Sequence, residues 1–528
     1  MHPYERWSHL LEGSGSRRDF LARSGGVAGL ILLGTLPARR GDASPRIAAY
    51  PFTLGVASGD PTSDGFVLWT RLLPRGAAGP TLQTSPLERV PVRWEVATDE
   101  RFDRIVRSGS MLALPELGHS VHVEVEDLES DRVYHYRFQA GGEVSPVGRA
   151  RTAPAAGARV DSFLFAFASC QNFQAGYYTA HRHMAEEDLR LVVHLGDYIY
   201  EGGVGQNMPR AHDGPEIVTL QDYRDRYALY KSDPDLQAAH AAAAWSVTWD
   251  DHEVDNNYAG DLDQDGTAPE AFLQRRAAAY QAFYENMPLR RASMPIGSDL
   301  RLYRRLTFGD LAEINVLDTR QYRTDQPCGD GFHSDCSGAL DPDATILGPA
   351  QEKWLLDGLG RSRSRWNVLA NQVPIAQIDR GAGPEEIYQM DKWDGYIASR
   401  DRVTHFIRDR SVSNPVVITG DVHVSWVADV KTDYQETASH PVATEFVGTS
   451  ISSGGDGSDM TAAGEAMLAE NPHMKYFNGQ RGYVRCALTP EHWVSDYRVV
   501  DYVSRRGAPI RDQARFVVEH GRPGAQEG

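Results

Sequence analysis

Two kinds of hydrophobic pattern follow one another along the chain. In Ser120–Val125 and Val133–Gln139 apolar and polar residues alternate. Val121, Val123 and Val125 fall on one face, His122, Glu124 and Glu126 on the other; Tyr134, Tyr136 and Phe138 alternate with His135, Arg137 and Gln139. A period of two is that of a half-buried β-strand. Phe52–Ala57, Gly65–Thr70, Val92–Ala97 and Ile105–Ser110 are further strand candidates, with turns between them. Residues 48–153 are therefore predicted to form an all-β sandwich of immunoglobulin-like or fibronectin-like type. Gly141–Gly157, rich in Gly, Pro and Ala, marks its end.

From Ser162 the pattern changes. Apolar runs at Phe163–Ala168, Val192–Leu195, Ala244–Trp249, Ile314–Leu317, Val368–Ala370 and Val416–Ile418 are separated by longer stretches. Helices are predicted near Tyr177–Glu187, Ala271–Tyr284, Ala350–Leu359 and Arg402–Arg408, the third opened by Pro349. Residues 160–510 thus read as an α/β layered domain, β-sheets flanked by helices. Residues 511–528 are read as a C-terminal tail in which Arg511–His520 forms a helix.

Charge narrows the function. The 54 Lys and Arg stand against 72 Asp and Glu, a net charge of -18, and no basic stripe stands out. That argues against nucleic acid as a partner. An acidic chain that handles phosphate esters needs positive charge in its site, and metal ions are the obvious supply. At the N-terminus, Ser16-Arg17-Arg18-Asp19-Phe20-Leu21 has the twin-arginine pattern, and the apolar run Ser24–Pro37 is too short to span a membrane. Residues 1–43 are read as a signal for the twin-arginine export machinery, so the protein is expected in the periplasm or secreted, as a monomer. Export allows Cys328 and Cys336 to form a small disulfide loop, and Cys486 reads as a buried small hydrophobe.

Five strand ends carry the chemistry. Phe163–Ala168 leads to Ser169-Cys170-Gln171-Asn172, and Leu191–Leu195 to Gly196-Asp197 and Tyr200. Ala244–Trp249 leads to Asp250-Asp251-His252-Glu253, with Asn256-Asn257 close behind. Glu313–Leu317 leads to Asp318-Thr319-Arg320-Gln321-Tyr322-Arg323, and Val416–Ile418 to Gly420-Asp421-Val422-His423. A buried core has no use for so many charged strand ends in one place. Asp197 has two oxygens with which to bridge two metal ions, and Tyr200 as a phenolate suits a ferric ion. The loop Asp261–Gly266 matches the start of an EF-hand, but the twelfth position is Phe272, so it reads as an acidic surface loop.

The order G-D-x-x-Y, H-E after a strand, then G-x-x-H resembles the dinuclear metallophosphoesterases. Ser169-Cys170 in place of D-x-H, Asp251-His252-Glu253 in place of N-H-E and Gly420-Asp421-Val422-His423 in place of G-H-x-H narrow the resemblance, as do the runs WDDHEV and LDTRQYRT. They look like the PhoD-type alkaline phosphatases and the related secreted phospholipase D. Carried over by position, the resemblance implies one metal held by Cys170, Asp197, Tyr200 and His423. It implies a second held by Asp197, Asp251 and Asp421, with Asn256 or water completing it. Thiolate, phenolate and imidazole suit Fe3+ and an all-oxygen set suits Ca2+, the pair of ions the family is described as using. The expected reaction is hydrolysis of phosphate monoesters or diesters by a metal-activated oxide or hydroxide, with Arg320 or Arg323 as a phosphate clamp and His252 as a candidate acid. Small phosphate esters are the expected substrates, with phospholipid or teichoic-acid-like polymers as alternatives. A C-terminal helix would lie over the site, as in some relatives. A rival from another class, a secreted calcium-dependent binding protein, explains the acidic balance but not Cys170 beside Asp197 and Tyr200.

Overall fold

The computed structural model describes residues 49–73, 89–436 and 438–528. The twin-arginine segment lies outside them. Two large sheets dominate the chain. The first has ten strands in the order Arg522–Glu527, Ile510–Glu519, His492–Val500, Arg481–Leu488, Phe163–Ala168, Leu191–His194, Ala244–Val247, Val56–Thr62, Gly65–Arg71 and Ser120–Val125. The second has seven, in the order Arg304–Phe308, Ala312–Val316, Trp366–Ala370, Pro415–Thr419, Ala443–Val447, Ser425–Val430 and Met474–Asn478.

The residues of each central strand divide between two cores. Phe163, Phe165 and Phe167 join Val368, Ile418, Phe446 and Trp493 in the core between the sheets. Ala166, Ala168 and Val192 face the other way, onto a core shared with the helices Thr179–Ala185, Leu220–Lys231, Pro234–Ala242 and Pro269–Asn286. On the far side of the second sheet, Leu369 and Val417 meet Leu355, Val403 and Ile407 of the helices Gly348–Leu359 and Ile397–Asp409. The layers therefore run helix, sheet, sheet, helix. Burial on both faces explains why the central strands read as unbroken apolar runs.

Two expectations are revised. The N-terminal strands pack as two sheets over one core, but one of the two sheets continues into the rest of the chain. Val56–Thr62 pairs in parallel with Ala244–Val247, and with Gly65–Arg71 and Ser120–Val125 it forms one end of the ten-stranded sheet. Val90–Ala97, Ile105–Ala113 and Val133–Ala140, with Glu143–Val144 and Gly148–Arg151, make a separate five-stranded sheet. It packs on that end across Phe66, Leu68, Val92, Val123, Tyr136 and Phe138. Pairing with Ala244–Val247 satisfies backbone groups that a free sheet edge would expose. The second correction concerns the C-terminus. Ile510–Glu519 is a strand paired with His492–Val500, not a helix over the site. Phe516 and Val518 alternate into the core between the sheets, a period-two pattern that outweighs helix propensity.

In both sheets the central strands are parallel: Phe163–Ala168, Leu191–His194 and Ala244–Val247 in one, Ala312–Val316, Trp366–Ala370, Pro415–Thr419 and Ala443–Val447 in the other. Their carboxyl ends meet at one rim. A parallel bridge between Ser169 and Ser450 joins the sheets there.

Candidate metal centre

At this rim Cys170 Sγ, an Asp197 carboxylate oxygen and a His423 ring nitrogen lie within 4.8 Å of one another. Asp197, Asp251 and His252 form a second group by the same measure, so Asp197 belongs to both. Tyr200 Oη lies 2.9 Å from Asp197 Oδ2 and 3.1 Å from His423 Nε2, and Ser453 Oγ donates to it at 2.7 Å. Asp197 Oδ1 is buried and has no hydrogen-bond partner. A buried, unpartnered carboxylate oxygen beside a thiol, a phenol and an imidazole suits a cation.

The backbone explains how these groups converge. Cys170, Asp197, Asp421 and His423 all have left-handed φ angles, of 58°, 54°, 73° and 57°. Non-glycine residues adopt such angles at a cost, and they cluster at functional sites. Each lies just past a strand, where the chain turns sharply and delivers its side chain to the rim. Gly196 makes one turn possible: a Cβ there would sit 2.5 Å from the backbone nitrogen of Asp250. Buried Glu253 then ties the neighbouring strand ends together. Its carboxylate accepts from the backbone of Asp197 at 3.1 Å, of Asp250 at 2.8 Å and of Tyr198. The electrostatics fit an unmet demand for positive charge. Burial, with Asp197 adding to it, pushes the Cys170 thiol well up; burial likewise raises the Asp197 carboxyl and the Tyr200 phenol.

The second half of the constellation is arranged differently. Lys392 Nζ stands 2.5 Å from Asp421 Oδ2 and 3.0 Å from Asp391 Oδ2. Asp251 Oδ1 accepts from the backbone of His252 at 3.0 Å and its Oδ2 from that of Asn257 at 2.8 Å. Asn256 is not brought to the donors by its side chain, which bonds Gln264 at 2.8 Å, while its backbone donates to Glu201.

Arg320 and Arg323 are displaced from the expected role. Both are fully buried at their side chains and face inward. Arg320 binds Asp250 at 2.5 Å through Nε and grips Asp391 with both terminal nitrogens, at 2.7 and 2.9 Å. Arg323 binds the same carboxylate at 2.9 Å. Arg320 spends Nε and both terminal nitrogens on buried carboxylates and Arg323 spends both terminal nitrogens on Asp391, so neither presents its terminal nitrogens to a phosphate. Together with Lys392 they hold Asp391 well below the usual carboxylate range, against the effect of burial. His252 Nδ1 lies 2.7 Å from Glu201 Oε2, and its ring lies 4.1 Å from that of Tyr200.

Glu201, Asp391, Lys392, Ser453 and Arg481 were not singled out as site residues by sequence reasoning. Glu201 ends the stretch that carries Asp197 and Tyr200, which was a usable signal. Asp391-Lys392 follows no predicted strand, and its charges read as an ordinary loop. The remaining features agree with expectation: Cys328 and Cys336 are disulfide-bonded, Cys486 is buried, and Asp261–Gly266 lies at the surface.

Comparison with known proteins bears directly on this rim. Residues 165–497 match the PhoD-like phosphatase family and residues 37–154 the PhoD-like phosphatase N-terminal domain. The chain is 52% identical over 520 residues to alkaline phosphatase D of Bacillus subtilis (strain 168), covering 97% of this chain and 89% of that one. A solved structure described as the structure of PhoD superposes with a TM-score of 0.89 at 53% identity, over 92% of this chain and 93% of that one. The chain belongs to the PhoD-like phosphatase family and is a metal-dependent phosphoesterase.

Proposed function

We propose that the protein is an exported phosphatase of the alkaline phosphatase D type, acting on phosphate monoesters or diesters. Cys170, Asp197, Tyr200 and His423 would hold Fe3+, and Asp197, Asp251 and Asp421 would hold Ca2+. The observation that carries this reading is the convergence of thiol, carboxylate and imidazole within 4.8 Å, with Asp197 shared by the neighbouring donor group. The helix–sheet–sheet–helix layering, with its carboxyl strand ends at one rim, supports a metallophosphoesterase-like catalytic domain over 160–510.

When bound, such ions activate water and offset charge on the phosphate. The protein's own groups do the rest. Asp197 bridges the two halves, and Tyr200, fixed by Ser453, orients it. His252, held at Nδ1 by Glu201, stands ready to give a proton to the leaving oxygen. Lys392 supplies the positive charge expected of Arg320 or Arg323, which instead hold Asp391 in place beneath it.

Metal analysis of protein purified without chelator, paired with initial rates on an aryl phosphate, a phosphodiester and phosphatidylcholine, tests the reading. Iron and calcium with alkaline phosphate-ester hydrolysis are expected. Active enzyme lacking both ions would overturn the metal assignment, and the rate ranking decides between small esters and lipid or polymer substrates. Export follows from Arg17-Arg18; Lys at both positions should retain the protein in the cytoplasm, and unchanged secretion would refute the twin-arginine route.

A further inference from the structure

The disulfide between Cys328 and Cys336 closes a loop across eight positions of the chain. No residue in 327–336 is buried, so no apolar core fixes the shape of this loop. Cys328 nevertheless takes a left-handed φ of 61°, followed by Gly329 at 82° and Gly331 at 101°. A residue with a side chain keeps such an angle only where its surroundings impose it. With so little packing, the cross-link carries much of that task.

The loop grips the Asp251–Asp421 half of the rim from two sides. On one side Asp330 Oδ2 accepts from Asn257 Nδ2 at 2.5 Å, and the Asn257 backbone donates to Asp251 Oδ2 at 2.8 Å. On the other side Phe332 and His333 pair antiparallel with Gln389 and Tyr388, and the backbone of Met390 donates to that of Gly331 at 2.9 Å. Asp391 and Lys392 follow directly, with Lys392 Nζ 2.5 Å from Asp421 Oδ2. Gln326, two positions before Cys328, joins the two sides. Its Nε2 donates to the backbone oxygen of Asn257 at 2.7 Å and to Asp391 Oδ1 at 2.9 Å, and its own carbonyl accepts from Gly329 at 3.2 Å. None of these bonds involves Cys170, Tyr200 or His423.

We propose that the Cys328–Cys336 disulfide is an oxidation-dependent latch that holds Asn257 and residues 390–392 in place and so completes the calcium half of the site. The inference rests on the roles proposed above for Asp251, Asp421 and Lys392. Closing the latch takes two electrons and two protons from the two thiols, and a disulfide oxidant receives them by exchange, leaving as two thiols. Cys328 is exposed and Cys336 half-buried, so such an oxidant reaches the pair. A reducing compartment keeps a pair of this kind open and an oxidising one closes it. With the latch open, the two gripped segments gain freedom, while the strand ends that carry Cys170 and Asp197 keep their own bonds.

The experiment compares wild type with Cys328→Ser/Cys336→Ser, each as the iron-loaded enzyme with calcium removed or added back. Amide hydrogen exchange is followed by peptide, and calcium binding by calorimetry. In the double variant, peptides covering 255–258 and 388–392 should exchange faster and those covering 191–198 should not. Calcium should bind about tenfold more weakly, in the range set by loss of groups that support metal ligands, with the iron-to-protein ratio unchanged. Unchanged exchange at the two gripped segments, or unchanged calcium affinity, overturns the inference and leaves the metal assignment standing. An equal rise in exchange at 191–198 marks a general loss of stability and overturns it too. If the variant does not fold, wild type reduced with a phosphine and reoxidised with glutathione disulfide decides by the same two measurements. A wild type that binds no calcium overturns the calcium site and the inference together.

Discussion

The two halves of the rim solve the same electrostatic problem in opposite ways. Among the described residues no Lys or Arg is ion-paired with Cys170, Asp197, Tyr200 or His423, and Asp197 Oδ1 stands unpartnered. Around Asp251 and Asp421 the chain supplies its own cations: Lys392 on Asp421, and Arg320, Arg323 and Lys392 on Asp391. The first half leaves its donors without a paired Lys or Arg. The second is partly neutralised in advance by the chain's own cations.

The sharpest way to break this comparison is to remove the thiol. Cys170→Ser should lose iron and the thiolate part of any visible absorption, and should lower activity by more than about 100-fold, beyond the usual cost of a supporting group. Cys486→Ser, in an apolar strand remote from the rim, should leave spectrum and turnover alone. Full colour and activity in Cys170→Ser would reduce that residue to a buried thiol. Next comes selective chelation. A calcium-selective chelator should abolish most activity while the colour persists, and added calcium should restore both rate and affinity. Simultaneous loss of colour would show that the halves are not independent.

A third test attacks the built-in cations. Asp391→Asn strands Arg320, Arg323 and part of Lys392 without their shared carboxylate. Breaking one partner of a buried ionic cluster costs about 3–5 kcal/mol, so a large fall in thermal midpoint is expected even in metal-free protein. A midpoint within a degree or two of wild type would mean that the cluster contributes little.

The smallest effect lies beneath the rim, where His181, His194 and His240 surround Trp245. Each ring has one nitrogen without a partner, and burial lowers all three, His181 to about 3. Their folded values lie below the unfolded value near 6.5, so the neutral form is favoured on folding. Their contribution is complete above about pH 6.5 and falls away below it; for His181 it is lost as the pH falls toward about 3, at about 1.4 kcal/mol per unit. His181→Gln should flatten the acid limb of a stability–pH curve by that amount for one group, and an unchanged slope would contradict it.

How much of this could be read beforehand varies with the kind of interaction. Phe163–Ala168 and Ser120–Val125 were found with their observed boundaries, because local periodicity reports which faces are buried. Leu220–Lys231 and Pro234–Ala242 were missed: aromatic and small residues with scattered charges blur the helical period. Arg511–His520 was misread because its apolar face shows only once a neighbouring strand is known.

By itself the sequence pointed to the α/β character, to Cys170, Asp197, Tyr200, Asp251, Asp421 and His423 as candidate donors, and to the family. Each depends on residue type and short spacing. Only the tertiary structure decided that the N-terminal strands extend the ten-stranded sheet, that Arg320 and Arg323 turn inward, that Lys392 pairs with Asp421 and that Arg481 bonds the backbone of His423. Those outcomes depend on which groups meet across the fold. Asp391 and Arg320 are separated by 71 positions and Arg481 and His423 by 58, and a buried charge finds its partner by packing, not by order along the chain.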